Sequence, residues 1–265
     1  GYSTAAYWQG KIPAAALFSA VPFGPEAAEY LAWLYYRGGL ELYQEMYDQA
    51  GYNVKVLVSG IIAPETSGWF AKEITSVDDL KGLRMRFFGL GGQAMQKLGV
   101  QTSLLPGGEI FPALEKGAID ATEFSMPAID QRLGLYKIAK YNYNPGWHQQ
   151  ATVYELLINK DVWNGMTDHQ KMVLEMGTRA STLDALAMTE AIQAPVIKEN
   201  VTKRGVKNMY WSDEMLATFR GAWDEVVAEQ SKDAFFKKVY DHMSAFREEY
   251  KFWSEWGFMP RGAKK

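Results

Sequence analysis

Arg86, Glu65, Glu123 and Gln149 are the residues of this chain whose types could hold a small anion together with a cation. A guanidinium is a planar fork that meets a carboxylate with two hydrogen bonds. Arg86 lies near the end of an alternating run, Leu83-Arg84-Met85-Arg86-Phe87, which reads as a strand that could carry it to a ligand. An ordinary ion-paired arginine fits that position equally well. Glu65, Glu123 and Gln149 each supply side-chain oxygen, which suits a hard cation such as Na⁺ or Ca²⁺. They lie in three separate connections, so spacing alone does not bring them together. Tyr2, Tyr7 and Trp8, in the aromatic opening segment, are the rings expected to face such a site.

Other chemistries find no anchor. The chain has no cysteine, which excludes thiol catalysis, disulfides and thiolate metal sites. His148, His169 and His242 are scattered, without HExxH or paired-histidine spacing, and each reads as structural or surface. Neither a G-x-S-x-G elbow nor a Walker loop occurs. Gly89, Gly91 and Ala94 form G-x-G-x-x-A after a strand and before a helix, with Glu109 about 20 residues on, the outline of a dinucleotide fingerprint. Its acidic residue belongs at the end of the next strand, yet Leu105 and Pro106 occupy that end. The run reads as a turn, and an NAD-dependent oxidoreductase is the alternative function that rests on it.

The elements that must position these residues come from an ordinary globular composition. The 265 residues are 48% hydrophobic and 22% charged, enough for a substantial core in one large domain or two lobes. Net charge is −3 with no basic tract, which argues against a nucleic-acid partner. No apolar run reaches the roughly 18 residues of a membrane-spanning helix, and the stretch from Ile12 to Phe23 is broken by Pro13 and Pro22. No secretory leader is visible at Gly1, so export requires one that was removed or lies outside these residues.

The pattern predicts a helical region from Pro25 to Gln49, ended by Gly51, and a strand from Val54 to Val58. Ser76 and Asp79 form a capping box for a short helix from Val77 to Lys81. The strand Leu83 to Phe87, a glycine turn at Gly89 to Gly92 and a helix from Gln93 to Leu98 follow. Next come a strand from Val100 to Leu105, a helix from Glu109 to Lys116 and a strand from Ile119 to Thr122, which delivers Glu123 and Phe124. Val153 to Ile158 is a further strand. Thr167, with Gln170 at the capping-box position, opens a helical pattern reaching the neighbourhood of Lys203, in which Pro195 should cause a kink or break. A helix that long suits a brace between two lobes. Asp213 to Trp256 reads as two or three amphipathic helices. The alternation of strands and helices predicts an α/β fold with a mostly parallel sheet, whose ligands bind beyond the carboxyl ends of the strands. Arg86 and Glu123 both fall there.

Several runs carry a resemblance. Gly68-Trp69-Phe70 with Lys72-Glu73-Ile74, Leu80-Lys81-Gly82-Leu83-Arg84-Met85-Arg86, the stretch from Gly107-Gly108-Glu109-Ile110-Phe111 to Ile119-Asp120-Ala121-Thr122-Glu123, and Tyr143-Asn144-Pro145-Gly146-Trp147 resemble the solute receptors of tripartite ATP-independent periplasmic (TRAP) transporters. The most similar branch binds 2-oxo and 2-hydroxy monocarboxylates. The resemblance implies a two-lobed, periplasmic-binding-protein-like α/β fold with a long lobe-bridging helix. Residues 1–64 and 150–205 would form lobe 1, and residues 65–149 and 206–265 lobe 2. It implies a non-catalytic periplasmic receptor that closes on a small carboxylate and delivers it to TRAP membrane subunits. Arg86, the arginine of the family's L-K-G-x-x-x-R run, would hold the carboxylate, with Glu123, Phe124, Gln149, Tyr7 and Trp8 around it.

In the 2-oxoacid branch a cation bridges protein and ligand, and the matching positions here are Glu65, Glu123, the backbone of Phe124 and Gln149. Two differ in type: glutamate replaces glutamine at 65, and glutamine replaces glutamate at 149. The cage keeps its net charge, so a retained Ca²⁺ or Na⁺ is expected. Phe124 stands where the branch has tryptophan, which keeps an apolar wall but removes the indole donor. The resemblance starts inside the family's pattern, so the opening strand and helix of its first lobe are expected to lie outside these residues. The chain's tail, through Met259-Pro260-Arg261-Gly262 to Lys265, is expected to lack the C-terminal helix that some relatives swap between subunits, which favours a monomer.

Overall fold

The computed structural model describes residues 1–259, whose strands form two sheets. The reading of the tail at Pro260, Arg261 and Gly262 lies outside the described residues. β1 (Tyr2–Ser3) leads through two 3-10 segments, Ala5–Trp8 and Pro13–Phe18, to helices α1 (Ala27–Tyr36) and α2 (Gly39–Gln49). The helical region expected from Pro25 to Gln49 is therefore two helices. Gly38 separates them in the left-handed region (φ 84°), which a residue without Cβ adopts freely. Phe18 stacks on both Trp33 of α1 and Tyr43 of α2, fixing this corner of the core. β2 (Val54–Ile62) outruns the strand read from alternation because Val56 to Ile62 are all buried, and a strand covered on both faces shows no polar alternation.

β3 (Gly68–Phe70) precedes a 3-10 turn at Val77–Leu80, where the Ser76–Asp79 capping box forms as expected. β4 (Arg84–Arg86), α3 (Gly89–Lys97), β5 (Gln101–Ser103), α4 (Gly107–Glu115), β6 (Ala121–Thr122), α5 (Pro127–Leu133) and β7 (Tyr141–Asn144) follow. The last third holds β8 (Thr152–Asn159), α6 (Lys160–Gly165), α7 (Asp168–Arg204), β9 (Lys207–Tyr210), α8 (Asp213–Gln230) and α9 (Ala234–Gly257). One sheet has the order β1-β8-β2 and is antiparallel throughout. The other runs β5-β4-β6-β3-β7-β9. In it β4 is parallel to β5 and β6, and β7 to β9, while β3 lies antiparallel to both β6 and β7. The mostly parallel sheet expected from the sequence is thus a mixed one beside an antiparallel one. β3, β7 and β9 are too short to produce a readable period, so their pairing was hidden.

α7 is one continuous helix of 37 residues, with the expected Thr167–Gln170 capping box and Gly205 as its left-handed cap. Pro195 lies inside it without ending it. Both Pro195 and Ala191, whose carbonyl loses its helical partner, are on the exposed side, where water can satisfy that oxygen. The buried residues of α7 are Thr178, Thr182, Thr189 and Asn200 rather than large apolar side chains. Thr189 Oγ1 accepts the Ala63 N–H at 3.1 Å, and Ser181 donates to the Ser59 carbonyl at 3.0 Å, which ties the helix to β2. Further along, Gln193 accepts the Ala128 N–H of α5 at 3.0 Å, and Gln131 of α5 donates to Glu199 and Asn200. α7 therefore braces the three-stranded sheet against the segment that follows β6. α8 packs on α3, and α9 packs on α1, α2 and the Pro13–Phe18 segment.

Thr189→Val preserves shape but strands the buried Ala63 N–H. We expect a loss of about 1–3 kcal/mol in urea unfolding; an unchanged midpoint would mean that this contact does not hold the brace.

Candidate functional site

β4 and β6 are parallel neighbours in which Arg86 pairs with Thr122, so their carboxyl ends present Arg86 and Glu123 side by side. Glu123 N–H donates to the Arg86 carbonyl at 2.9 Å. Arg86 Nη1 donates to the Glu123 carbonyl at 2.6 Å and to its Oε2 at 2.7 Å, and Nε donates to the Leu105 carbonyl at 3.3 Å. None of these bonds uses Nη2. Both side chains are buried, Arg86 at 2% exposure and Glu123 at 0%. The rings of Phe88 and Phe124 each lie 5.1 Å from the guanidinium carbon, within cation–π range. Tyr7 stacks on Phe88 with centroids 5.0 Å apart. A cavity of about 370 Å³, lined by Tyr7, Phe87, Phe88, Gly89, Gln93 and Ser103 among others, adjoins these rings.

Glu65 arrives from the connection between β2 and β3. Its N–H donates to the Gln149 carbonyl at 3.1 Å, and the next two N–H groups donate to the carbonyls of Ser125 and Tyr143. Three connections are thereby laced together. Gly146 permits this: a Cβ there would stand 2.1 Å from the Glu65 carbonyl oxygen. The loop then places His148 beside both acids, with Nε2 3.6 Å from Glu123 Oε1 and 3.9 Å from Glu65 Oε2. One ligand atom from each of Glu65, Glu123 and His148 lies within 4.8 Å of the other two, and all three residues are buried. Glu65 Oε2, Glu123 Oε1 and His148 Nε2 find only one another: Glu123 takes weak hydrogen bonds from Glu65 and His148, and nothing outside the cluster reaches these atoms among the described residues. Buried polar groups that satisfy only one another, and at long distance, mark a place suited to receive a charged group.

Of the residues singled out in the sequence, Arg86, Glu65, Glu123, Phe124 and Tyr7 converge here. Gln149 is buried beside them, but its amide donates to Thr152 Oγ1 at 2.8 Å, and Thr152 in turn donates to Glu65 Oε1 at 3.3 Å. Trp8 acts as a hydrogen-bond donor toward Glu155 of β8, which also accepts from the Tyr43 and Tyr47 hydroxyls. Tyr2 stacks on Tyr154. Sequence reading assigned His148 to a structural or surface role, yet it stands at the centre of the cluster; its place directly after Pro145-Gly146-Trp147 and before Gln149 was the available signal. The glycine run Gly89 to Gly92 is the first turn of α3 rather than a loop. A Cβ at Gly91 would meet His148 Cβ at 2.7 Å, and one at Gly92 would meet the Phe87 carbonyl at 3.0 Å. These glycines let the helix pack against the His148 loop and Phe87, and with that packing to account for them the alternative dinucleotide-fingerprint reading has no support.

Burial alone would push the Glu123 carboxyl up, but the Arg86 guanidinium, together with His148 and a hydrogen bond from Glu65, holds the group below its usual range. Glu65 has no such partner. Burial, then the charge of Glu123, push it well above the usual carboxylate range. Behind the site Asp130 accepts from Trp69 Nε1 at 2.7 Å and from Ser125 N–H at 3.1 Å, fixing the strand that enters after Glu65 to the loop that leaves Phe124. Burial pushes Asp130 up to about 7 even though the indole donor pulls it down. Its folded value thus exceeds its ordinary value of 3.8. The folded state keeps a proton that the unfolded chain releases, so this group's contribution is fully present below about pH 4 and is lost as pH rises to about 7. We expect wild type to lose stability relative to Asp130→Asn across that window, by up to about 1.4 kcal/mol per pH unit. Urea unfolding of both proteins in steps of pH checks this, and a constant difference between them contradicts it.

Comparison with known proteins agrees with this geometry. Residues 1–233 match the family model of bacterial extracellular solute-binding protein, family 7 (DctP). A monocarboxylate 2-oxoacid-binding periplasmic protein from a Nostoc species is 39% identical over 255 residues, covering 96% of this chain and 69% of that protein. A TRAP transporter solute-binding protein from Bordetella bronchiseptica, with calcium and picolinate bound, superimposes with a TM-score of 0.92 at 31% identity, covering 97% of this chain and 76% of that one. A TRAP periplasmic solute-binding protein from Pseudoalteromonas atlantica, with sodium and pyruvate bound, gives a TM-score of 0.91 at 32% identity over 97% and 78% of the two chains. One from Colwellia psychrerythraea, with calcium and pyruvate, gives 0.92 at 31% identity over the same shares. With the family model running through both sheets and every site residue named above, this chain belongs to the DctP family of bacterial extracellular solute-binding proteins, the TRAP receptors.

Proposed function

We propose that this chain is a periplasmic receptor that binds a 2-oxo or 2-hydroxy monocarboxylate of about the size of pyruvate together with a cation, and delivers it unchanged to TRAP membrane subunits. The observation that carries the reading is a buried guanidinium beside a cluster of buried oxygens and nitrogens that find partners only in one another. A carboxylate needs the first and a cation needs the second. Arg86 would offer its remaining edge, Nη2, to the ligand carboxylate. Glu65, Glu123 and the Phe124 backbone carbonyl would take the cation, with Gln149 held beside it through Thr152. The ligand carboxylate and C2 oxygen would complete the coordination, which explains a preference for oxygen on C2. Phe88, Phe124 and Tyr7 would form the apolar wall. The ligands named for the Nostoc, Bordetella, Pseudoalteromonas and Colwellia relatives support this class of acid and the presence of an ion.

The lobes on this reading are residues 1–64 with 150–205, and residues 65–149 with 206–265. The strands of the smaller sheet fall in the first set and those of the larger sheet in the second. Tyr7 on Phe88 is then a contact made when the lobes close.

Arg86→Lys keeps a charge beside Glu123 and so preserves the fold, but it removes the fork. Calorimetric titration with pyruvate, in Ca²⁺ and again in Mn²⁺, should give one site in wild type and a roughly 100-fold weaker site in the variant, about 2.7 kcal/mol. Equal affinity would remove Arg86 from the ligand, and no heat with any short 2-oxoacid would reject the receptor reading. Cation affinity should also rise with pH, because an incoming ion must expel the proton that burial holds on Glu65. Affinity that falls with pH would show that Glu65 is not a ligand.

A further inference from the structure

We infer that Glu155, a buried carboxylate outside the acid-and-cation cluster, is a positioning residue for that site: it holds the Trp8 indole and thereby sets the ring of Tyr7 over Phe88. This rests on the reading of the cluster as the place where a small acid binds, and it names a residue that acts on that place through two others.

Glu155 lies on β8 and is fully buried. Its carboxylate accepts from the Tyr43 hydroxyl at 2.5 Å, from the Tyr47 hydroxyl at 2.9 and 2.8 Å to its two oxygens, and from Trp8. Tyr43 and Tyr47 stand one turn apart on α2, so both hydroxyls reach the same point. Burying a carboxylate is costly unless hydrogen bonds hold it, and packing alone gives no reason for one here. What the carboxylate supplies is acceptor capacity on both oxygens. The two hydroxyls can reverse and accept, but an indole N–H only donates. The partner that requires an acceptor at this place is therefore Trp8.

Trp8 ends the short 3-10 segment Ala5–Trp8, whose start has no side-chain cap. The segment is tied to β8 at both ends instead. Thr4 Oγ1 donates to the Val153 carbonyl at 2.9 Å, and the Trp8 indole reaches Glu155 two residues further along the strand. Tyr7 lies between these anchors. Its side chain is 54% exposed, and its ring stacks on Phe88 with planes 13° from parallel. Phe88 in turn lies against the Arg86 guanidinium. The Tyr7 hydroxyl is within electrostatic reach of Arg86, Glu123 and Glu65. Neighbouring side chains in a 3-10 turn diverge by about 120°. Fixing the indole against β8 thus turns the Tyr7 ring away from the strand, toward Phe88 and the site. Glu155 sets a wall of the acid site without touching the acid.

The test uses the full chain. Trp8→Phe keeps a ring and removes the N–H, at a residue 39% exposed, where the fold tolerates the change. In stopped flow with Ca²⁺ present, pyruvate should leave this variant about tenfold faster than wild type. Tyr7→Ala should lose at least as much. Adding Trp8→Phe to Tyr7→Ala should change nothing further, because the effect passes through the Tyr7 ring. Glu155→Gln should reproduce Trp8→Phe; if it does not fold, the Trp8 and Tyr7 variants decide. Unchanged dissociation from Trp8→Phe, or its full effect persisting without the Tyr7 ring, overturns the inference. So does a loss seen in urea unfolding but not in dissociation, which is what a merely structural contact gives. A second readout needs no acid. The ¹⁹F resonance of a 3-fluorotyrosine placed at position 7 should carry the ring-current shift of the stack on Phe88 and lose it in Trp8→Phe. An unmoved resonance overturns the inference even where pyruvate binds. A moved resonance with no short 2-oxoacid bound by wild type keeps the link from Glu155 to Tyr7 and rejects the receptor reading.

Discussion

A buried ion pair between Arg86 and Glu123 is the interaction on which the site depends. Two charges removed from water cost several kcal/mol each, and only good geometry with further hydrogen bonds restores the balance. The pair has both: Nη1 reaches the Glu123 side chain and main chain at once, and Nε reaches the Leu105 carbonyl. The parallel register of β4 and β6 places the two residues together, so the pairing is built into the sheet rather than left to flexible side chains. Its consequence is electrostatic. Glu123 stays ionised at full burial, and its charge adds to the burial that keeps the proton on Glu65. One carboxylate is therefore held ionised and its neighbour held protonated.

The frame around this pair is polar where a simple core would be apolar. Asp130 joins Trp69 to Ser125, and Asn142 joins Thr66 to the Gly68 carbonyl. α7 meets β2 through threonine hydroxyls. Hydrogen bonds are directional, so such contacts fix the position of a loop more sharply than apolar packing of equal area does. Loops that carry Glu65, Glu123 and His148 need that precision, because ligand atoms must agree to a fraction of an ångström. The apolar clusters lie to either side. One gathers Phe18, Trp33, Tyr43 and the residues of α8 and α9; the other gathers Trp69, Ile110, Leu114 and Leu135 beneath the larger sheet.

The exchange of residue types at 65 and 149 acquires a physical sense in this geometry. Glutamate at 65 stands within reach of His148 and Glu123, whereas glutamine at 149 is turned into a hydrogen-bond chain through Thr152 back to Glu65. Two carboxylates and one amide remain among the three side chains, and the Glu65 carboxylate lies on the imidazole side.

The sequence by itself determined the family, the α/β class, the long capped helix and the candidates Arg86, Glu65 and Glu123, because these rest on local signals: capping boxes, glycine stops, and runs of residues that read the same in one dimension. It could not show β3, β7 and β9, since strands of three or four residues carry no measurable period, nor the mixed direction of the larger sheet, which depends on which short strands become neighbours. It read the Gly89–Gly92 run as a turn into a helix, which holds at Gly89 in the left-handed region, but it could not show that Gly91 and Gly92 are required by close approach, because the two needs look alike until the approaching atoms are known. His148 was missed for the same reason. An isolated histidine joins the cluster only when a loop 25 residues beyond Glu123 folds back over it, and that folding is fixed by contacts of Gly146 and Gly91 with atoms distant in the chain. Local propensity is written along the chain, but the convergence of buried donors and acceptors is a property of three-dimensional distance, and only the tertiary structure decided it.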